Sequence, residues 1–200
     1  MEKWKKPVLC LVTDRRRYGA SWERALVDRV AAAAREGVHL IQIRERDLDG
    51  GPLTRVVSAC VAAVNGTRTR ILVNDRLDVA LAGRAHGVHL RADSFSAARA
   101  RAMTPAPFLV GRSVHSAADA VAATRDGGLD YLIFGTVFDT ASKPGRQPAG
   151  VAALTAVVRA TSLPVLAIGG ITRARIAEVM AAGASGVAAI GLFDTPGSVP

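Results

Sequence analysis

Eight short apolar runs separated by Ala-rich helical stretches, with no Gly-x-Gly-x-x-Gly after the first run, predict an α/β chain closing as a single (β/α)8 TIM barrel over residues 1–200. Such alternation calls for a parallel sheet covered on both faces, and eight similar units favour closure over an open doubly wound sheet. A chain of 200 residues, half of them apolar, suits one domain with one sizeable core.

The strands follow in order. VLCLVT from Val8, VHLIQI from Val38, ILVN from Ile71, VHL from Val88, FLVG from Phe108, YLIFG from Tyr131, PVLAIG from Pro164 and GVAAIG from Gly186 are short, apolar and rich in β-branched residues. Ala31 to Arg35, Ala117 to Arg125 and Arg173 to Ala182 supply helices between them, because Ala and Arg are good helix formers and the apolar positions recur at helical spacing. Gly37, Gly87, Gly128 and Gly183 each precede a strand and are expected to end helices in left-handed turns. The stretch 141-ASKPGRQPAG-150, rich in Pro, Gly and basic residues, predicts a mobile loop after strand six. Beyond the eighth strand, Leu192 to Pro200 are too few and too rich in Pro and Gly for a full closing helix. The final helix is therefore expected to be short or missing, with a homodimer partner as one way to cover the gap.

Lys and Arg exceed Asp and Glu by nine. Position decides what this means. Arg24, Arg35, Arg99 and Arg125 fall in helical stretches with few aromatics among them, so nucleic acid is the weakest reading and is not expected as a partner. An anionic substrate and solvated helix faces remain. The first apolar run is cut short by Asp14 and Arg15, which excludes a signal peptide or membrane span there and points to a cytoplasmic protein with no membrane partner. Cys10 and Cys60 lie in a strand and a helix with no metal spacing around either, as buried hydrophobes do.

In a barrel of this type, polar residues at the carboxyl ends of the strands face the site. Strand two ends in Gln42, Arg44 and Arg46, which period-two geometry puts on one face, suited to a phosphate or carboxylate; the alternative is a barrel-interior salt-bridge ladder with Glu residues. Strand three ends in Asn74 and Asp75; Asn74 is either a site residue or a helix cap, and Asp75 with Asp93 could hold magnesium on a diphosphate. His115, in 111-GRSVHS-116, precedes a helix that Ser116 can cap, and an imidazole there suits proton transfer near neutrality; the alternative is a hydrogen-bonded loop histidine. His39 and His86 read as structural. After strand six, Thr136, Thr140, Ser142 and Lys143 gather hydroxyls and one ammonium suited to phosphate oxygens. Gly169, Gly170 and Gly191 end strands seven and eight, where bare backbone amides can approach a phosphate; the alternative is that Gly169 and Gly170 only relieve crowding where the strand turns.

Taken together, 42-QIRER-46, 74-NDRLD-78, 87-GVHL-90, 111-GRSVHS-116, 134-FGTVFDTASK-143 and 167-AIGGI-171 resemble the superfamily of thiamine phosphate synthase and its relative, the TenI-type thiazole tautomerase. The resemblance runs from Val8 to about Phe193. For a synthase it implies Gln42, Arg44 and a lysine at position 46 around the diphosphate of the pyrimidine substrate, helped by Asn74, Thr140, Ser142 and Lys143. Position 46 here is Arg, and the magnesium aspartates of that pattern fall on Asp75 and on Ser94, with Arg91-Ala92 in place of the usual Gly-Gln. The tautomerase branch is more similar at 111-GRSVHS-116 and 134-FGTVFDTASK-143. It implies a cofactor-free isomerisation of carboxythiazole phosphate to its aromatic tautomer by a histidine matching His115, with Arg44 and Arg46 on the carboxylate and Gly169, Gly170 and Gly191 on the phosphate. The expectation is therefore a thiazole tautomerase acting on a small phosphorylated thiazole. The alternatives are a magnesium-dependent thiamine phosphate synthase and a catalytically silent regulator that binds a thiamine intermediate.

Overall fold

The computed structural model describes residues 7–142, 145 and 147–193. Eight parallel strands close in sequence order: β1 Val8–Val12, β2 Leu40–Ile43, β3 Arg70–Asn74, β4 Gly87–Leu90, β5 Leu109–Val114, β6 Tyr131–Gly135, β7 Val165–Ile168 and β8 Gly186–Ala189. Among the described residues seven α-helices follow β1 to β7 in turn: α1 Trp22–Arg35, α2 Gly50–Ala63, α3 Leu77–Ala82, α4 Ala97–Ala102, α5 Ala117–Asp126, α6 Gly150–Arg159 and α7 Arg173–Ala181.

Period-two geometry sorts the strand residues into two cores. Val8, Cys10 and Val12 of β1 join Leu40, Leu72, Tyr131, Ile133, Leu166 and Ala188 inside the barrel. Leu9, Leu11, Ile41, Ile43, Ile71 and Val73 face outward against Leu26, Val30, Val57 and Leu154 of the helices. Cys10 and Cys60 are fully buried, and burial pushes both thiols up to about 12, so neither is a nucleophile at neutral pH. His39 and His86 are structural as expected: each Nδ1 accepts a backbone N–H, from Leu9 and Ile71 respectively.

One glycine expectation fails. Gly37, Gly128 and Gly183 adopt positive φ before their strands, but Gly87 does not. It is the first residue of β4, and a Cβ there would lie 2.4 Å from the Leu109 carbonyl oxygen on β5; the left-handed residue after α3 is Arg84. Beyond β8 the described chain makes a 3-10 turn, Gly191–Phe193, and the segment in which a shortened helix was expected lies outside the described residues from position 194 on. The expected mobile loop falls partly on positions 143, 144 and 146, also outside the described residues. Its far end is tied back, with Ala149 and Gly150 amides donating to the Thr136 and Val137 carbonyls. Among the described residues no helix is long and apolar enough to cross a membrane.

Candidate active site

The carboxyl ends of the strands surround a cavity of ≈ 630 Å³ that brings together Gln42, Arg44, Arg46, Asn74, Asp93, His115, Thr136, Thr140, Ser142 and Gly169. A second opening of ≈ 1050 Å³ adjoins it through shared residues, among them Thr140, Ser142 and Gly169, and adds Gly170 and Gly191. Lys143 lies outside the described residues.

On the β2–β4 side the cavity wall is made of side chains. Gln42 is buried at the end of β2, and its Nε2 donates to Asn74 Oδ1 at 3.1 Å. Asn74 is thus a partner of Gln42 and not the cap of α3, whose N-cap residue is Arg76. Arg44 and Arg46 follow on the same face, and among the described residues neither guanidinium makes a hydrogen bond or close ion pair, although the charges of Asp14 and Glu45 act on Arg44. Burial, and then the like charge of Arg46, lower the pKa of the half-buried Arg44 from its ordinary value. A half-buried cation beside a second cation is an arrangement able to accept an anion.

On the β6–β8 side the wall adds backbone and hydroxyls to charged side chains, Asp139, Arg173 and Arg175 among them. Gly169 (φ 103) and Gly170 (φ 63) turn the chain after β7, and a Cβ on Gly170 would lie 2.3 Å from the Asp139 carbonyl oxygen. The Gly170 carbonyl accepts from Arg175 Nη1 at 2.8 Å, while the Arg175 guanidinium lies 4.4 Å from the centre of the Phe138 ring. Thr172 is the N-cap residue of α7 and makes no side-chain bond to it, while the Arg175 amide donates to the Thr172 carbonyl at 3.0 Å. Thr140 and Ser142 hydroxyls pair at 3.1 Å, and Thr136 is buried beneath them.

His115 sits between the two sides, exposed at the end of β5. Ser116 caps α5 by accepting the Asp119 amide at 3.0 Å, and the Asp119 carboxylate accepts the His115 amide at 2.9 Å. That backbone bond is the main reason the Asp119 carboxyl titrates below its ordinary range. His115 Nδ1 lies 2.8 Å from the Gly135 carbonyl oxygen. A carbonyl only accepts, so Nδ1 carries the proton in that bond and Nε2 of the neutral ring keeps its lone pair. No protein group among the described residues occupies Nε2. The arrangement can take a proton from a ligand and return it.

Three features escaped the sequence reading. His89, inside β4, places Nδ1 3.0 Å from the Tyr131 hydroxyl and Nε2 2.9 Å from Ser113 Oγ, a buried polar chain beneath the cavity. Burial, followed by the charges of Arg112 and Arg44, pushes His89 down to about 3, so it stays neutral. Asp14 and Arg16, in the loop after β1, also reach both openings, and the rule of examining each strand end would have found them. The third is the fate of the carboxylates considered for magnesium. Asp75 accepts the Arg91 amide at 3.2 Å and Asp93 pairs with Arg91 Nη2 at 2.6 Å, so both are directed to one arginine. Among the described residues no group of three or more His, Cys, Asp or Glu gathers in metal-binding fashion.

A family model described as thiamine monophosphate synthase matches residues 9–193. The chain belongs to the thiamine monophosphate synthase family. It is 42% identical over 177 residues to the thiamine-phosphate synthase of Methanoculleus marisnigri, covering 88% of this chain and 83% of that one. The thiamine-phosphate synthase of Roseiflexus castenholzii is 41% identical over 184 residues, 92% of this chain and 79% of its own. Among solved structures, thiamine phosphate pyrophosphorylase from Pyrococcus furiosus superposes with a TM-score of 0.80 at 30% identity, covering 94% of this chain and 87% of that one. Family membership makes the chain an enzyme of thiamine biosynthesis. The relatives just named carry the name of the second sequence-based reading, the synthase, and none of them carries that of the tautomerase.

Proposed function

We propose that this family member is a thiazole tautomerase, moving a proton within a carboxythiazole phosphate. The observation that carries this reading is His115: Nδ1 is committed to the Gly135 carbonyl and Nε2 is open to the cavity. In the proposed reaction Nε2 takes the proton from one position of the dihydrothiazole ring, and the resulting imidazolium returns it at another as the ring becomes aromatic. Arg44 and Arg46 hold the substrate carboxylate, and the amides around Gly169, Gly170 and Gly191, with the Thr140 and Ser142 hydroxyls, receive the phosphate. No metal is needed for such a proton transfer.

The names of the relatives favour a second reading, a synthase that joins a pyrimidine diphosphate to a thiazole phosphate. Two anion-accepting walls are compatible with two phosphorylated substrates. The deciding experiment follows carboxythiazole phosphate conversion spectroscopically for the wild type and His115→Ala, each in chelator and in magnesium. Metal-independent turnover lost in the variant is the expected result. Absence of conversion by wild type, together with pyrophosphate release from the pyrimidine diphosphate plus thiazole phosphate, would overturn the tautomerase in favour of the synthase.

A further inference from the structure

By the resemblance described above, the family implies a magnesium ion held between two carboxylates at the ends of β3 and β4. The residues here do not fit one. Ser94 stands where the second aspartate of that pattern falls, and the space between Asp75 and Asp93 is served by Arg91. Asp75 Oδ1 takes the Arg91 backbone amide at 3.2 Å, its Oδ2 lies 3.9 Å from Nε, and Asp93 Oδ2 lies 2.6 Å from Nη2. Arg91 also lines the cavity with Arg44 and Arg46, and its Nη1 has no protein partner among the described residues.

We propose that Arg91 is a built-in substitute for the divalent cation, making the β2–β4 side of the mouth a metal-independent site for a diphosphate, phosphate or carboxylate group. The inference rests on the proposed anion-binding role of this wall and not on which reaction the enzyme performs. Asp75 and Asp93 act as positioning residues: they hold the guanidinium at the rim, and its remaining N–H donors meet the ligand beside Arg44 and Arg46. With Arg91 in place, the cluster of three arginines and two aspartates is net positive. Without it the cluster is neutral, and two carboxylates are left unpaired beside the ligand, where they repel an anion and recruit a hard cation. A free metal ion must also displace a cation tethered covalently to the chain, so the carboxylates are closed to it.

The test is calorimetric titration of the full chain with inorganic pyrophosphate, in chelator and in magnesium, for the wild type, Arg91→Gly and Arg91→Gln. Wild-type affinity is expected to be the same within about threefold in both media. Each variant is expected to lose about tenfold or more in chelator, the scale of one charged hydrogen bond, and to recover most of it in magnesium. A wild-type affinity that rises about tenfold with magnesium would overturn the proposal. So would variants indifferent to magnesium, or a wild type that binds no pyrophosphate in either medium. No turnover is read, so failure of the tautomerase assay and failure of this inference are distinguishable.

Discussion

The two sides of the barrel mouth face one ligand space with different materials. Around β2–β4 the lining comes from side chains: Gln42 locked to Asn74, Arg44 and Arg46 whose guanidinium groups make no hydrogen bond among the described residues, Arg91 gripped by two carboxylates. Around β7 and β8 a tightly turned backbone at Gly169 and Gly170 and small hydroxyls join Arg173 and Arg175. Side-chain charge is adjustable one residue at a time and weakens with salt. The backbone turn at Gly169 and Gly170 is intolerant of bulk.

His115, which belongs to neither wall, carries the largest expected effect. Its replacement by Ala should lower turnover about 10²- to 10⁴-fold, the usual reach of a positioned acid–base group, while thiazole phosphate affinity changes little. A parallel loss of affinity would reassign the imidazole to binding. Next, Gly170→Ala should cost ~2–4 kcal/mol in urea unfolding, combining a left-handed φ with backbone overlap, and abolish phosphate binding. Unaltered stability would show that the turn can yield. On the opposite wall, Arg44→Gln should leave the fold intact and weaken binding of an anionic ligand by ~1.5–3 kcal/mol, with a shallower salt dependence. Equal salt sensitivity in variants of both walls would erase the distinction between them.

A pH dependence separates the floor from both walls. His89 has its pKa depressed, so the unfolded chain binds the additional proton and its contribution to stability is complete above the ordinary histidine pKa. It declines as pH falls toward 3, at up to ~1.4 kcal/mol per pH unit. His39 and His86, lowered by burial, act with the same sign. His89→Asn should flatten the acid side of a plot of unfolding free energy against pH; an unchanged slope would show that the lost stability arises elsewhere.

Much of this was legible in the chain. Each strand announces itself as an apolar run because it is buried on both faces, and the site residues stand at the run ends because that is where polar groups reach the mouth. Ser116 could be read as a cap since its partner, Asp119, is local. What escaped was what depends on neighbours across the barrel. His89, Ser113 and Tyr131 meet only because β4, β5 and β6 lie side by side, and Gly87 is bare because of Leu109 on the next strand. Asp75 and Asp93 looked like ligands for a metal until the orientation of Arg91 between them was known.

The hydrogen bonds from His115 to Asp119 and from Asp119 to Ser116 span only five residues. The backbone anchor of the imidazole is therefore modular: it travels with the start of α5 and does not have to be rebuilt from distant loops. Only the Gly135 carbonyl must be supplied by the host. A β5–α5 segment carrying this anchor keeps the imidazole in register whatever changes occur in the two walls of the mouth.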